Sequence, residues 1–513
     1  MSPAGAPGRT EDLTSTIHQW ESPIPDDLLD GAAGPSGTAV PTRSVLEHGW
    51  WSVVAWACGL LLGAGALSDN SFLTHLATGR LIQSSGAPHA DVFTFSSGGR
   101  HIVVQSWLAS WWYATLDSIG GPNLIRLFVA FTCGAILLTL WRLSAPAGSL
   151  LGRLALVTMA GMVGLLWWNE RPQVVAFLCL ALVALVLQER RSPWWMIPLF
   201  GVWVNVHGSF PLGVAFVGVS LAVRALEARR IAPSDVTAAA AMVAGVVGGA
   251  FVSPYGMELI TFPIELLGRS SSLILIAEWR PLDLVDDGQL QINNAVFVAQ
   301  AAGILALLAW RRSWLRLVAS AVFVAMALMA VRNVAVAALV LVPLAAPALA
   351  GLGSPDVSVV PPCRRRLAVG GVVAALVVAF VVSTPGYDLG AYPVAAANWM
   401  EKQGYIGRAD GDDAAVLAHD YDGNYLEWRY GAAANVWIDD RAELHRFETI
   451  RDYVLLLSGL GDRSEILERN PHDLIVWSAQ TRFARWLGTS DEYEVVYRDD
   501  SRIVACRLAS ERC

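Results

Sequence analysis

Lysine is almost missing from this chain: Lys402 is the only one, so nearly all positive charge is arginine. Charge of either sign is scarce, at 16% of 513 residues. A soluble protein of this length needs far more charge to cover its surface. No basic patch is interleaved with aromatics, which removes nucleic acid as an expected partner. The six cysteines show neither metal-ligand spacing nor a disulfide framework. Cys58, Cys133 and Cys179 lie inside apolar blocks and read as packing residues, Cys363 precedes an arginine run, and Cys506 and Cys513 meet only if the tail folds back. No apolar core with a small-residue cleavage site stands near the start, so a signal peptide is not expected. Residues 1–43, polar and rich in Pro, Gly, Ser and Asp, read as a disordered cytoplasmic tail.

What is present is apolar sequence in long blocks, 54% of the chain. They run over about 46–67, 123–141, 150–168, 172–188, 194–206, 209–225, 235–253, 292–310, 314–331, 334–350 and 367–384. Many of the 21 tryptophans lie at block edges, among them Trp50, Trp51, Trp167, Trp168, Trp194 and Trp195, as interfacial belts do. The expected fold is an α-helical polytopic membrane protein of about eleven transmembrane helices. A small extracytoplasmic α/β domain follows at the C-terminus. The domain boundaries fall at 44–385 for the membrane part, with a large first outer loop at 68–106, and 386–513 for the soluble domain. The abundance of Ala, Val, Gly and Arg suggests a GC-rich bacterial genome, such as an actinobacterium's.

Arginine orients the spans. Arg142 and Arg153, Arg190 and Arg191, Arg224 to Arg230, Arg311 to Arg316, and Arg364 to Arg366 all fall on one side of alternating spans. The positive-inside rule makes that side the cytoplasm, with the N-terminus inside and the C-terminal domain outside, in the plasma membrane. Residues 194–225 carry arginine clusters at both ends, which favours a hairpin of two short spans with Asn205, His207 and Gly208 at the outer apex. The net charge of −8 averages two compartments, acid-rich outside and arginine-rich inside.

The unusual polar residues collect on the outer side, where polar groups near membrane depth are costly and usually functional. Asp69 stands where the first span ends, followed by His75, Thr78, Arg80, and the turn GAPHADVFTF with His89 and Asp91. A carboxylate there can act as general base toward a sugar hydroxyl, or hold a divalent metal that bridges phosphate. Taken alone, the segment reads more readily as a helix cap, with His75 packed under the loop. Trp107 to Asp117 has the pattern of an amphipathic interfacial helix. Arg171, in Trp168-Asn169-Glu170-Arg171-Pro172-Gln173, can grip phosphate bidentately or form a surface turn with Glu170. His207, in Trp203-Val204-Asn205-Val206-His207-Gly208, can donate to phosphate or bind metal, or be a buried histidine satisfied by a carbonyl. Glu278-Trp279-Arg280-Pro281 and Pro254-Tyr255-Gly256 join the outer set as cavity lining or loop packing, and Arg332-Asn333, between two apolar blocks, as a site that binds anionic headgroups or snorkels.

In the C-terminal region, Ala415–His419, Val436–Ile438, Leu474–Trp477, Glu494–Tyr497 and Ile503–Arg507 read as strands. Asp420 to Tyr425 reads as a turn into a helix, and Asp439-Asp440-Arg441-Ala442-Glu443 as a dense charged loop. The domain is either a structural lid or a cover that helps bind an acceptor.

Together these segments resemble a bacterial family of membrane proteins similar to the GT-C glycosyltransferases, multi-span enzymes that take sugar from polyprenyl-phosphate carriers. The resemblance is carried by Asp69, His75–Gly79, Asp91–Phe95, Trp107-Leu108, Arg171–Gln173, Trp203–Gly208, Pro254–Gly256, Tyr421–Arg429 and Asp439–Glu443. It implies a polyprenyl-phosphate-linked sugar as donor and transfer to an envelope acceptor at the outer face. Asp69 would be the base and His75 would orient it or touch sugar. Arg171, His207 and Arg332 would hold the lipid phosphate. Asn205, Glu278 and Asp91 would line the substrate site, with Asp422, Asp439 and Arg441 contributed by the C-terminal domain. Many GT-C enzymes carry paired acids in the first outer loop, whereas Asp69 is followed here by Asn70. That departure speaks against metal-dependent transfer and leaves a single-base mechanism open. The main rival is a non-catalytic scaffold that binds membrane lipid and envelope-assembly proteins. A lipid or polysaccharide transporter is a third reading, against which stands the lack of an internal repeat or charged relay.

Overall fold

The structure is a computed structural model that describes residues 49–268, 277–286, 288–353, 363–408 and 411–512. The tail expected over 1–43, and Cys513, lie outside the described residues. Every apolar block appears as a helix: α1 Gly49–Gly63, then, after α2 Asn70–Ser85, α3 Trp107–Leu143, α4 Leu150–Gly164, α5 Gln173–Gln188, α6 Met196–Val206, α7 Phe210–Ala228 and α8 Pro233–Val252. After α9 Glu258–Leu267 and the two-residue strands β1 Val285–Asp286 and β2 Gln289–Leu290 come α10 Ile292–Trp310, α11 Trp314–Met329, α12 Val334–Ala345 and α13 Cys363–Ser383. Among the described residues, six helices are long and apolar enough to cross a membrane: those containing α3, α7, α8, α10, α12 and α13. α1, α4, α5 and α11 are apolar but shorter.

The segment 68–106, expected as a loop, differs from expectation, because residues 70–85 of it are α2. Phe72, Leu73, Leu76 and Ala77 of that helix are buried. Its sequence mixes these with Ser, Thr, His and Arg, so its periodicity is weak, and tertiary packing settles the helix. The expected interfacial helix at Trp107 and the span at 123–141 form one kinked element. Gly121 sits at φ 61 and Pro122 follows it, which breaks the helical backbone between the two halves. Residues 194–225 are not one helix: the break falls at His207, extended between α6 and α7.

α1 packs against α3 through glycine. A Cβ on Gly59 would lie 2.4 Å from the Cys133 carbonyl oxygen and 2.6 Å from the Gly134 Cα, so only glycine permits this crossing. Arg126 of α3, 1% exposed, then ties off two helix ends. It donates to the carbonyls of Ala64 and Gly65 beyond α1, and to those of Val381, Thr384 and Pro385 at the end of α13. Terminal carbonyls of both helices thus find a donor where intrahelical partners run out. The same residue therefore fixes the exits that lead to Asp69 and to the C-terminal domain.

That domain contains α14 Val394–Gln403, β3 Val416–Ala418, α15 Asp420–Tyr430, α16 Phe447–Ser458, α17 Arg463–Arg469, β4 Leu474–Ser478, α18 Arg482–Leu487, β5 Tyr493–Arg498 and β6 Arg502–Arg507. The strand order is β3-β4-β6-β5, with β3 and β4 parallel and the remaining pairs antiparallel. Four of the five expected strands appear, and Val436 contributes a bridge to Val416 instead of a full strand. The sheet does not stop at the expected boundary near 385. Val436 also bridges Thr94, in the segment between α2 and α3: its N–H donates to the Phe93 carbonyl at 3.1 Å, and Phe95 N–H donates back at 2.9 Å.

Candidate functional site

Asp69 is the N-cap of α2, its Oδ1 accepting from Ser71 N–H at 3.0 Å. The carboxylate does more than cap. Both oxygens accept from Arg171 Nε at 2.8 Å, and Oδ2 accepts from Asn169 Nδ2 at 2.9 Å. The guanidinium of Arg171 is paired a second time, through Nη1, with Glu278. Burial works against its charge, but Asp69 and Glu278 outweigh burial and hold it protonated beyond the ordinary guanidinium range. Burial raises the Glu278 carboxyl, and Arg171 and Arg332 reverse that and hold it below the usual value. Arg332 lies 4.3 Å over the Trp279 ring, a cation–π contact that anchors it beside Glu278.

The loop before α5 places a second acid. Glu170 is 6% exposed, so it is no surface turn. Its Oε1 accepts from Ser68 N–H at 2.5 Å and from Asp69 N–H at 2.6 Å. Burial raises this carboxyl and the two backbone donors offset part of the rise. Glu170 therefore sets the backbone from which Asp69 projects.

His75 makes no hydrogen bond to Asp69. Its Nδ1 lies 3.2 Å from the hydroxyls of Ser106 and Ser110, and burial, aided by Arg171 and Arg441, lowers its pKa to about 3. The expectation that it orients Asp69 is corrected: it is a neutral group packed between α2 and α3. His207 accepts Ser209 N–H at Nδ1, 3.1 Å away, so the neutral ring carries its proton on Nε2. Burial, with Arg332 and other nearby charges, lowers it to about 3.

The C-terminal sheet domain reaches the same place. Asn424 donates to the Asn70 carbonyl at 3.4 Å and accepts Asp440 N–H at 3.2 Å, so one side chain links Asp440 to the first turn of α2. Burial and the charge of Asp439 raise Asp440 to about 7, while Ser71 and Arg171 pull it down. Tyr421, 42% exposed, and Tyr392 stand beside these charges, with ring centroids 6.2 Å apart. Asp69 and Asp440 both act on each of the two phenols.

No family model matches the chain, and no curated protein matches it.

Asp69, Arg171, Glu278, His207 and Arg332, chosen from the sequence, thus form one electrostatically linked group. Five other chosen residues are engaged in holding the fold together. Asn205 accepts from Trp107 Nε1 at 2.7 Å and donates to the carbonyls of Gly201 and Gly249, which uses its amide to join α3, α6 and α8. Asp91 caps its own turn through Thr94 and pairs with Arg441 at 2.8 Å. Arg441 also pairs with Asp439, which in turn meets His445 at 3.2 Å. Asp422 is fully buried and held by Arg502 Nε and Nη2, both at 2.8 Å. Sequence reasoning missed Asn169, Glu170, Tyr392, Tyr421 and Asp440, although each lies within or near a segment it singled out. Among the described residues, no group of three or more His, Cys, Asp or Glu is placed to hold a metal ion. The two carboxylates of the group both face Arg171, so the donor set does not fit the divalent ion considered for Asp69.

Proposed function

We propose that the chain is a glycosyltransferase of the extracytoplasmic membrane face, moving sugar from a polyprenyl-phosphate carrier to an envelope acceptor. The observation that carries this reading is the convergence of Asp69, Arg171, Glu278 and Arg332, from four segments far apart in sequence, with Asp440 of the soluble domain. Guanidinium groups suit a departing lipid phosphate, and carboxylates suit an attacking hydroxyl. His207, neutral with a donor at Nε2, adds a hydrogen bond that needs no charge.

The accompanying topology is eleven spans, N-terminus in the cytoplasm and soluble domain outside, in a GT-C-like arrangement. The one-sided arginine distribution supports it. Cys506 in β6 is disulfide-bonded, whereas Cys58, Cys133, Cys179 and Cys363 are free. Disulfides persist in oxidising compartments, which fits the soluble domain facing outward.

One observation favours the rival scaffold reading: Arg171 is already paired with two carboxylates, as a purely structural clasp would be. Native mass spectrometry of the full chain in nanodiscs separates the two. With undecaprenyl phosphate added, the transferase reading expects a bound lipid that bulk phospholipid does not displace, lost in Arg171→Ala. Equal retention in wild type and variant, or no retention in either, leaves the clasp as the better account.

A further inference from the structure

Asp69 was the base expected from the sequence, yet its oxygens are the most occupied in the site. Oδ1 serves Ser71 N–H and Arg171, and Oδ2 serves Asn169 and Arg171. A carboxylate whose oxygens are all engaged by a guanidinium and amide donors has little acceptor capacity left for a substrate hydroxyl. Asp440 is the reverse case. Its Oδ1 is buried without a hydrogen-bond partner, and its backbone is fixed through Asn424 to Asn70, next to Asp69 in sequence. A buried carboxylate oxygen without a donor is expensive unless something supplies a hydrogen. The exposed ring of Tyr421, within reach of the charge of Asp440, offers a flat apolar face, the chemistry that receives a pyranose ring.

We infer that Asp440, not Asp69, accepts the proton of the acceptor hydroxyl, and that Asp69 serves to position Arg171. This rests on the transferase reading above. The acceptor O–H proton moves to Asp440 Oδ1. The freed oxygen pair forms the bond to the anomeric carbon of the donor. The bond from that carbon to the carrier phosphate oxygen breaks, and the phosphate leaves with its electron pair toward Arg171 and Arg332.

The groups facing Asp440 explain its readiness for the exchange. Asp439 on its own loop and Asp420 at the start of α15 disfavour its anion, while Ser71 of α2 and Arg171 favour it. The oxygens of Asp69 are taken by Ser71, Asn169 and Arg171, whereas Asp440 keeps one bare, which separates the roles of the two carboxyls. As the pKa is raised, Asp440 is protonated below about 7 and available as base above it, so transfer should rise with pH through that point.

The test is infrared difference spectroscopy of the full chain in nanodiscs between pH 6 and pH 8, subtracting Asp440→Asn from wild type. The expected result is a protonated-carboxyl band lost at the higher pH in wild type, absent from Asp440→Asn, and recovered at a shifted position in Asp440→Glu. A wild-type spectrum without that band, or its persistence in Asp440→Asn, overturns the assignment whatever the enzyme does. The same preparations are then given undecaprenyl-phosphate-linked glucose and mannose, and release of free carrier phosphate is followed. Wild-type turnover that rises through pH 7 and falls at least 100-fold in Asp440→Asn, with carrier phosphate still bound, supports the role. A band without any wild-type turnover removes the transferase reading and the role of Asp440 with it.

Discussion

Glu170 shows what a residue can do that its neighbours in sequence conceal. Next to Arg171 it reads as half of an exposed ion pair, but Arg171 turns to Asp69 and Glu278, and Glu170 turns inward to the backbone of residues 68 and 69. Replacing it with alanine leaves two backbone donors without an acceptor, at a cost of about 1–3 kcal/mol. Glu170→Gln keeps an acceptor oxygen and should lose less. Thermal unfolding of the full chain in detergent should therefore rank wild type, Gln, Ala in falling order, and an alanine variant as stable as wild type would show that Glu170 does not hold Asp69. The residue types of the site were legible in the sequence, since Asp, Arg, Glu and His between apolar blocks demand an explanation. Their partners were not, because Asp69 and Arg171 are brought together only by the packing of α2 and α5 around α3. Asp439 and Asp440 make the point most sharply. Adjacent in sequence, one is locked to Arg441 and His445 and the other is left with a bare oxygen.

At the scale of elements, apolar length announced every long helix, and short apolar runs announced most strands. α2 escaped because its buried face alternates apolar side chains with Thr and Gly. The bend in α3 escaped because Gly-Gly-Pro was taken as a gap between two helices, whereas the helix resumes directly after it. Gly121 carries this bend at a positive φ, where a Cβ is strained even though open space surrounds it. Gly121→Ala should cost roughly 1–2 kcal/mol from backbone strain alone. The effect should reach the site's frame, since Arg126, five residues on, holds the ends of α1 and α13. Accordingly, the Ala variant should melt earlier and expose the 384–390 linker to limited proteolysis. A control at Gly86, also at positive φ but in the loop after α2, should share the first effect and lack the second. Equal proteolysis of the two variants would disconnect the bend from the linker.

In the whole molecule the C-terminal sheet domain and the apolar helices are one folded object, because the sheet continues through Val436 into Thr94, and Arg441 neutralises Asp91 of one part and Asp439 of the other. A buried charge cluster of this kind makes stability depend on pH, and the histidines set one direction of that dependence. His472 is 4% exposed; its Nδ1 lies 2.6 Å from the Asn470 carbonyl, and its Nε2 lies 3.1 Å from the Tyr493 hydroxyl. The neutral ring thus donates to one and accepts from the other, and protonation would destroy the second bond. Burial, against the backbone carbonyl of Asn470, lowers its pKa to about 4. Between pH 6.5 and 4 the unfolded chain binds a proton here that the folded chain does not, so this contribution is complete above 6.5 and fades as pH falls. The full loss is roughly 3 kcal/mol. Asp422, Glu427 and Asp440, raised by burial, act oppositely, since the folded state holds their protons to higher pH. The net curve therefore mixes both signs, and only a comparison isolates the histidine. His472→Gln should be less stable than wild type at pH 7, and should lose less melting temperature than wild type between pH 6.5 and 4.5. If both lose the same amount, His472 is not the group that titrates.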